Sequence, residues 1–338
     1  MFTKLTKITR YILAATCALY IAGCSTSPTT SQLLNKKHPS LASHNTPFHD
    51  QVLKMALMEV ENKNYSKAID LLNSLAEFGD IVAQLNLASA YELNIPANKR
   101  AAAKWYHRAA KQGSITAQNK LGLIYANGIG VAKNQGKAIE WFEIAIKQNS
   151  PDAMFNLGHL YEQQLSENDD YTQTIQWYMK AADANHPLAT YHLAKFFALG
   201  KNVELNESLA LELYHKAAKL GVADAHYEIG NHYNIGTGVR KNSTTAASWF
   251  QKAATLGSAD AQVALGNLYW HGKGIEKDRI QAAKWFKRAA DQGHQKGKQR
   301  LAEAYKDSGA LPQDHANAEL LTQRTSKKRN SKTRGIQW

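Results

Sequence analysis

The chain has 338 residues, 41 Lys and Arg against 28 Asp and Glu, and a formal charge of +13 at pH 7. A hydrophobic share of 44% is enough to bury a core, and two cysteines exclude a disulfide-held framework. Length alone allows two domains.

The first stretch, 1–23, has Lys4, Lys7 and Arg10 ahead of an apolar run over 11–21. That run is too short for a bilayer, which takes about 20 residues per helix, and it has the shape of an export signal. It ends Ile21-Ala22-Gly23-Cys24, which resembles the lipobox of bacterial lipoproteins. The resemblance implies a diacylglycerol on the Cys24 thiol, cleavage before Cys24 and acylation of the freed amine. Ser25 rather than Asp follows the Cys, which resembles a Gram-negative outer-membrane address, so the mature chain is expected lipid-anchored on the periplasmic face. Cys17 leaves with the signal. Residues 24–47 then combine the lipidated Cys with Ser, Thr, Pro, Asn and His without periodicity. They read as a flexible tether of about 25–30 Å reach.

Apolar residues return at helical spacing from Phe48 (Val52, Met55, Ala56, Val60). A second helix, 64–79, places Leu71 and Leu72 where later units have aromatics, as expected of a terminal capping hairpin. From there the chain repeats itself. Ala83, Ala117, Ala153, Ala189, Ala225 and Ala261 recur with a spacing of 34 or 36. The Leu column (Leu87 to Leu301) and the Tyr or Phe column (Tyr91 to Tyr305) follow, on one helical stripe with the Ala. A second helix carries Trp105, Trp141, Trp177, Leu213, Trp249 and Trp285, each followed by Tyr or Phe. Before it stands a column of cap formers: Asn64, Asn98, Asn134, Asp170, Asn206, Asn242, Asp278 and Asp314. After it stands a stop column of Gly79, Gly113, Asn149, Asn185, Gly221, Gly257 and Gly293, residue types that accept positive φ. Each unit is therefore a helical hairpin, here called helix A and helix B. Residues 295–325 restate the pattern weakly as a second cap. The last stretch, 326–338 (SKKRNSKTRGIQW), is basic, acid-free and aperiodic, and is expected disordered.

The pattern Leu-Gly-x-x-Tyr, a G-x-G turn, then K-A-x-x-W-[YF]-x-x-A-A-x-x-G resembles the Sel1-like repeat, a tetratricopeptide-related family. The resemblance covers roughly residues 65–325. It implies an all-α fold, a right-handed α-solenoid of about eight stacked hairpins over 48–325. Repeat 1 is short in its turn, repeats 1 and 3 lack both turn glycines, and repeat 4 has Gly200 and Asn202 there.

A search for chemistry returns little. The thirteen histidines share no ligand spacing, and no H-E-x-x-H, Cys partner, phosphate loop or nucleophile elbow is present. No catalytic residue, metal or cofactor is expected. By analogy with tetratricopeptide solenoids, the position two before the helix-A Leu faces the concave groove. It holds Phe155, Tyr191 and Tyr227, with His159, Lys195, Asn231, Asn234 and Trp270 nearby. These rings either form a recognition platform for peptide or glycan, or they tuck against the next helix. The expected function is a non-enzymatic scaffold that holds envelope proteins, as in exopolysaccharide export or similar machinery. A glycan- or peptidoglycan-binding module is the alternative, and a cell-wall or β-lactam hydrolase a third class. The membrane is a partner through Cys24, and an anionic glycan or lipid through the basic tail. Export argues against nucleic acid.

Overall fold

The computed structural model describes residues 47–166 and 169–307, and every regular element in them is an α-helix. The expected signal, Cys24 with nearly all of its tether, the far part of the second cap and the basic tail lie outside these residues. The chain divides into a short unit ending at Lys54 and a repeat unit beginning at Met55. Helix α1 (Pro47–Glu61) runs across that division, and α2 (Tyr65–Glu77) follows.

Six hairpins come next. Repeat 1 is α3 (Ile81–Leu93) and α4 (Lys99–Lys111); repeat 2 is α5 (Ile115–Asn127) and α6 (Gln135–Ile146). Repeat 3 is α7 (Pro151–Glu162) and α8 (Thr172–Asp183); repeat 4 is α9 (Pro187–Leu199) and α10 (Glu207–Lys219). Repeat 5 is α11 (Ala223–Ile235) and α12 (Ser243–Thr255); repeat 6 is α13 (Ala259–His271) and α14 (Arg279–Asp291). Helix α15 (Gln295–Asp307) begins a further unit. From α2 onward each helix packs on its neighbours in sequence, and helices A of successive repeats touch at α5–α7, α11–α13 and α13–α15. The repeat unit is an all-α solenoid.

The caps explain where helices B start. Asn98, Asn134, Asn206, Asn242 and Asp278 each accept the amide three residues on with the side chain. Their own amides donate to the carbonyls of Tyr91, Tyr125, Phe197, Tyr233 and Tyr269, closing the hairpin from the other side. Two expected caps depart. Asn64 makes no side-chain cap; its amide donates instead to Glu59 at 2.8 Å, a carboxylate that also takes Lys67. Asp170 is not the N-cap of α8, which is Tyr171; Asp170 accepts from the Thr172 amide at 2.9 Å. Repeat 3 has Gln164 and Ser166 where repeat 2 has Gly128 and Gly130, and both glycines have positive φ. Without residues that accept that backbone, the repeat 3 turn takes another path and helix B starts later. All seven residues of the stop column have positive φ, as does Asn202 in repeat 4.

The core follows the columns. The six helix-A alanines from Ala83 to Ala261 are fully buried, and so is the helix-B ring after the Trp position: Tyr106, Phe142, Tyr178, Tyr214, Phe250 and Phe286 are all buried. Glycine in Leu-Gly-x-x-Tyr makes room for that ring, since a Cβ on Gly122 would stand 2.3 Å from the Phe142 ring. The Trp column is split: Trp105 and Trp285 are buried, whereas Trp141, Trp177 and Trp249 are half-buried. In four repeats a cation three residues on lies over the ring. Arg108 lies 4.6 Å over Trp105, Lys180 4.2 Å over Trp177, Lys252 4.1 Å over Trp249 and Arg288 4.4 Å over Trp285.

Polar bonds hold repeats in register. Buried Gln118 donates to the Ala110 carbonyl at the end of the previous helix B, and accepts from Gln148 at 2.7 Å. Gln84 and Gln262 make the same pair of bonds with Ala76 and Gln112, and with Ala254 and Gln292. A second tie joins helix-A caps. His186 Nδ1 accepts the Ala189 amide at 3.1 Å, and its Nε2 reaches Asp152 of the previous repeat at 3.3 Å. His294 repeats this with Gly297 and Asp260, and the Ser258 hydroxyl donates to Asp224 at 3.1 Å.

Candidate binding groove

The three groove aromatics are half-buried, and each leans on the helix-B ring of its own repeat. Phe155 lies 5.5 Å from Tyr178, Tyr191 5.8 Å from Tyr214, and Tyr227 5.6 Å from Phe250. They are part core and part surface, which joins the two readings their spacing left open. What surrounds them differs along the row.

Around Phe155 the structure gathers a histidine cluster. The Phe155 ring is stacked on His186 at 4.6 Å and on His159 at 5.9 Å, with His192 at 5.7 Å. Glu162 stands among them. It accepts from the Tyr178 hydroxyl at 2.6 Å, lies 3.2 Å from His159 Nδ1 and 3.8 Å from His192 Nδ1. Burial works to raise the Glu162 carboxyl, but the bonds from His159 and Tyr178 and the nearby His192 prevail and hold it down at about 2. Burial lowers His192, with Glu162 opposing and Lys195, His159 and His186 adding to the fall. Glu162 is a base that stays charged, and its proton donors are already in place. Glu92 meets the Tyr106 hydroxyl in the same way at 3.3 Å, so a tyrosine in the helix-B ring column takes a carboxylate partner in repeats 1 and 3. No group of three metal-ligating side chains comes together among the described residues.

Farther on, Lys195 is exposed and stands 5.8 Å over the Tyr191 ring. Asn231 donates to Glu228 at 3.2 Å, whose carboxyl burial pushes up. Tyr227, Asn231 and Asn234 share a cavity of about 250 Å³ with Asp260, Asn267, His271, Lys273 and Lys296. There the buried Asn267 Oδ1 has no hydrogen-bond partner. Trp270 does not line this cavity; it packs toward the last repeat with Arg279 4.8 Å over its ring. Sequence reasoning missed Glu162, His192, Asn267 and Lys296. Asn267 had a signal, since it stands one period after Asn231 in the same column.

The Sel1 repeat family model matches six consecutive segments, 81–114, 115–150, 151–186, 187–222, 223–258 and 259–294. The chain belongs to the Sel1 repeat family. Those segments are the six hairpins described above. Among solved structures, this Sel1 repeat protein is similar to a protective antigen of uropathogenic Escherichia coli that displays an SLR fold. They share 28% identity and a TM-score of 0.65, over 78% of this chain and 57% of the antigen. It is also similar to a Sel1 repeat protein of Oxalobacter formigenes, at 28% identity and a TM-score of 0.64, over 71% of this chain and 99% of the other. An F-box protein of Arabidopsis thaliana is 37% identical over 68 residues, 20% of this chain and 19% of the plant protein. The chain thus spans about a fifth of that plant relative. Sel1 repeat solenoids typically serve as scaffolds that bind protein partners and are generally not catalytic.

Proposed function

We propose that the protein is a non-enzymatic scaffold, lipid-anchored through Cys24 at the periplasmic face of a Gram-negative outer membrane. Its concave row of helices A holds an envelope protein. The observation that carries the partner-binding reading is the groove composition. Half-buried Phe155, Tyr191 and Tyr227 recur one repeat apart beside exposed Lys195 and the amides of Asn231 and Asn234. Rings fixed from behind by helix-B aromatics offer contact area at little entropy cost, and polar neighbours supply direction. Anchoring rests on Ile21-Ala22-Gly23-Cys24 after a basic and apolar leader. Exopolysaccharide export is one machinery that fits a lipoprotein built of such repeats.

The 250 Å³ cavity with an unpartnered Asn267 acceptor supports a second reading, a glycan-binding module, because sugar hydroxyls donate well to such an atom. One experiment separates the two. A photoreactive residue at Lys195 in the full chain, crosslinked in cells, should give a discrete protein adduct that the same residue at exposed Lys287 does not. The adduct should fractionate with the outer membrane and leave it in a Cys24→Ala background. Adducts with glycan alone favour the module, and no adduct at Lys195 rules out an occupied groove.

A further inference from the structure

A second concavity lies between α4 and the hairpin of repeat 2, and shares no residue with the groove candidates. It encloses about 1170 Å³ between Arg100, Lys104, His107 and Arg108 of α4, Tyr125 of α5 and the turn over 128–132. No carboxylate lines it. Helix α4, KRAAAKWYHRAAK, has lysines and arginines along its length and no acid.

The shape of this cleft comes from the repeat, but its charge does not. The turn closes one end because Gly130 sits on the first turn of α4, where a Cβ would stand 2.4 Å from the Lys99 carbonyl. Gly238 and Gly274 make the same approach to Glu207 and Ser243 in later repeats. At the positions of Arg100 and Lys104, however, repeats 2 to 5 have Gly136 and Glu140, Thr172 and Gln176, Ser208 and Glu212, and Thr244 and Ser248. Packing does not require cations there. Both side chains are exposed, and among the described residues neither has an ion-pair partner, whereas Arg108 is held by Glu77 at 2.6 Å. Arg100, Lys104 and Arg108 lie on successive turns of one helix face, each about 6 Å along the axis from the next.

We propose that this cleft binds a linear acidic polysaccharide, one carboxylate or sulfate per sugar, with Arg100 and Lys104 taking successive anionic groups. An open cleft with charges in file suits a polymer better than a single small anion. The rings nearby argue against nucleic acid, which binds unpaired strands by stacking bases on free aromatic faces. Lys137 lies 5.4 Å over Tyr125, Arg108 covers Trp105, and His107 sets its ring against Trp141 at 5.7 Å. Lys137 also adds positive charge at the rim. Burial lowers His107, with Lys111 and Lys137 in the same sense, so its neutral ring offers a hydrogen bond rather than a charge.

The inference is independent of the groove, and its test uses the full chain with fluorescent polygalacturonate oligomers, read by anisotropy at low salt. Arg100→Glu/Lys104→Glu should bind roughly tenfold more weakly or worse, with an unchanged thermal midpoint. Arg100→Gln/Lys104→Gln serves if the charge reversal disturbs folding. Uncharged dextran should not bind. A variant with Lys327, Lys328 and Arg329 changed to Ser tests the basic tail and should keep most of the affinity. Equal binding by wild type and both cleft variants overturns the proposal, as does loss of binding in the tail variant alone. Tighter binding of a single-stranded oligonucleotide or of phosphatidylglycerol vesicles than of polygalacturonate overturns it too.

Discussion

At Gly266 a Cβ would stand 2.5 Å from the Phe286 ring, whereas at Gly158 the nearest atom, on Tyr178, is at 3.0 Å. Alanine favours a helix over glycine by about 1 kcal/mol, and overpacking a filled core costs about 1–3 kcal/mol. Overpacking should win where the ring cannot retreat. Gly266→Ala is therefore expected to lower stability in urea titrations, and to lower it more than Gly158→Ala. Repeats 1 and 4 accommodate the methyl with Ala88 and Ala194, so the reverse order would place the constraint elsewhere than at the ring. The Trp column carries a matching lesson. In four repeats Arg108, Lys180, Lys252 and Arg288 lie over its rings, whether the ring is buried (Trp105, Trp285) or half-buried (Trp177, Trp249), and the two exceptions each lack one member. Repeat 2 has Trp141 with Ile144, and repeat 4 has Leu213 with Lys216, whose Nζ turns to the Ala182 carbonyl at 2.7 Å.

Between elements, the glutamine pairs decide how one hairpin meets the next. Gln occurs at both positions of the pair in repeats 1, 2 and 6, and at neither in repeats 3, 4 and 5, which have Met154 and Ala184, Thr190 and Leu220, and His226 and Leu256. A lone buried half would leave its side-chain carbonyl unsatisfied, at about 1–3 kcal/mol. Gln118→Leu should lose about 1 kcal/mol, since two hydrogen bonds between hairpins go, while the Ala110 carbonyl keeps the Gly113 amide and the exposed Gln148 amide turns to water. Gln118→Met/Gln148→Ala, which copies repeat 3, should recover part of the loss. A double variant no better than the single one would show that the two side chains are not coupled.

Over the whole solenoid, stability is a sum of hairpins and interfaces, so groups scattered along it act together on pH dependence. Burial is the largest cause lowering His107, His186, His192 and His215, all held neutral in the fold. The unfolded chain takes up those protons near pH 6.5, and stability therefore falls as pH drops below about 6.5 toward the lowered values. Glu162 works in a lower window. Its stabilising charge is present above the ordinary carboxylate range and is lost as pH falls toward about 2. Glu228 opposes the trend, because its raised carboxyl favours the fold at the acid side. Thermal midpoints should decline from pH 7 to pH 5.5. His186→Asn should flatten part of that decline, since Asn can accept the Ala189 amide without titrating. A decline of equal size in the variant would place the proton uptake at the other histidines.

The period, the caps, the stops and the Ala and Leu stripes were legible in the sequence because they are local or recur at fixed spacing. A cap reads its own first turn, a positive-φ stop reads its own backbone, and a column repeated six times outweighs any single exception. Reasoning by column overreached where a neighbour intervened, as with Glu59 at Asn64 and the glycine-free turn before Asp170. It also left the groove rings undecided, because half-burial depends on how far each helix-B ring reaches across the hairpin. The Glu162 cluster, the cavity at Asn267 and the cationic cleft at α4 were fixed only by tertiary structure. Each is made by side chains from different helices, and the distances between helices follow from packing, which no spacing along one strand of sequence encodes.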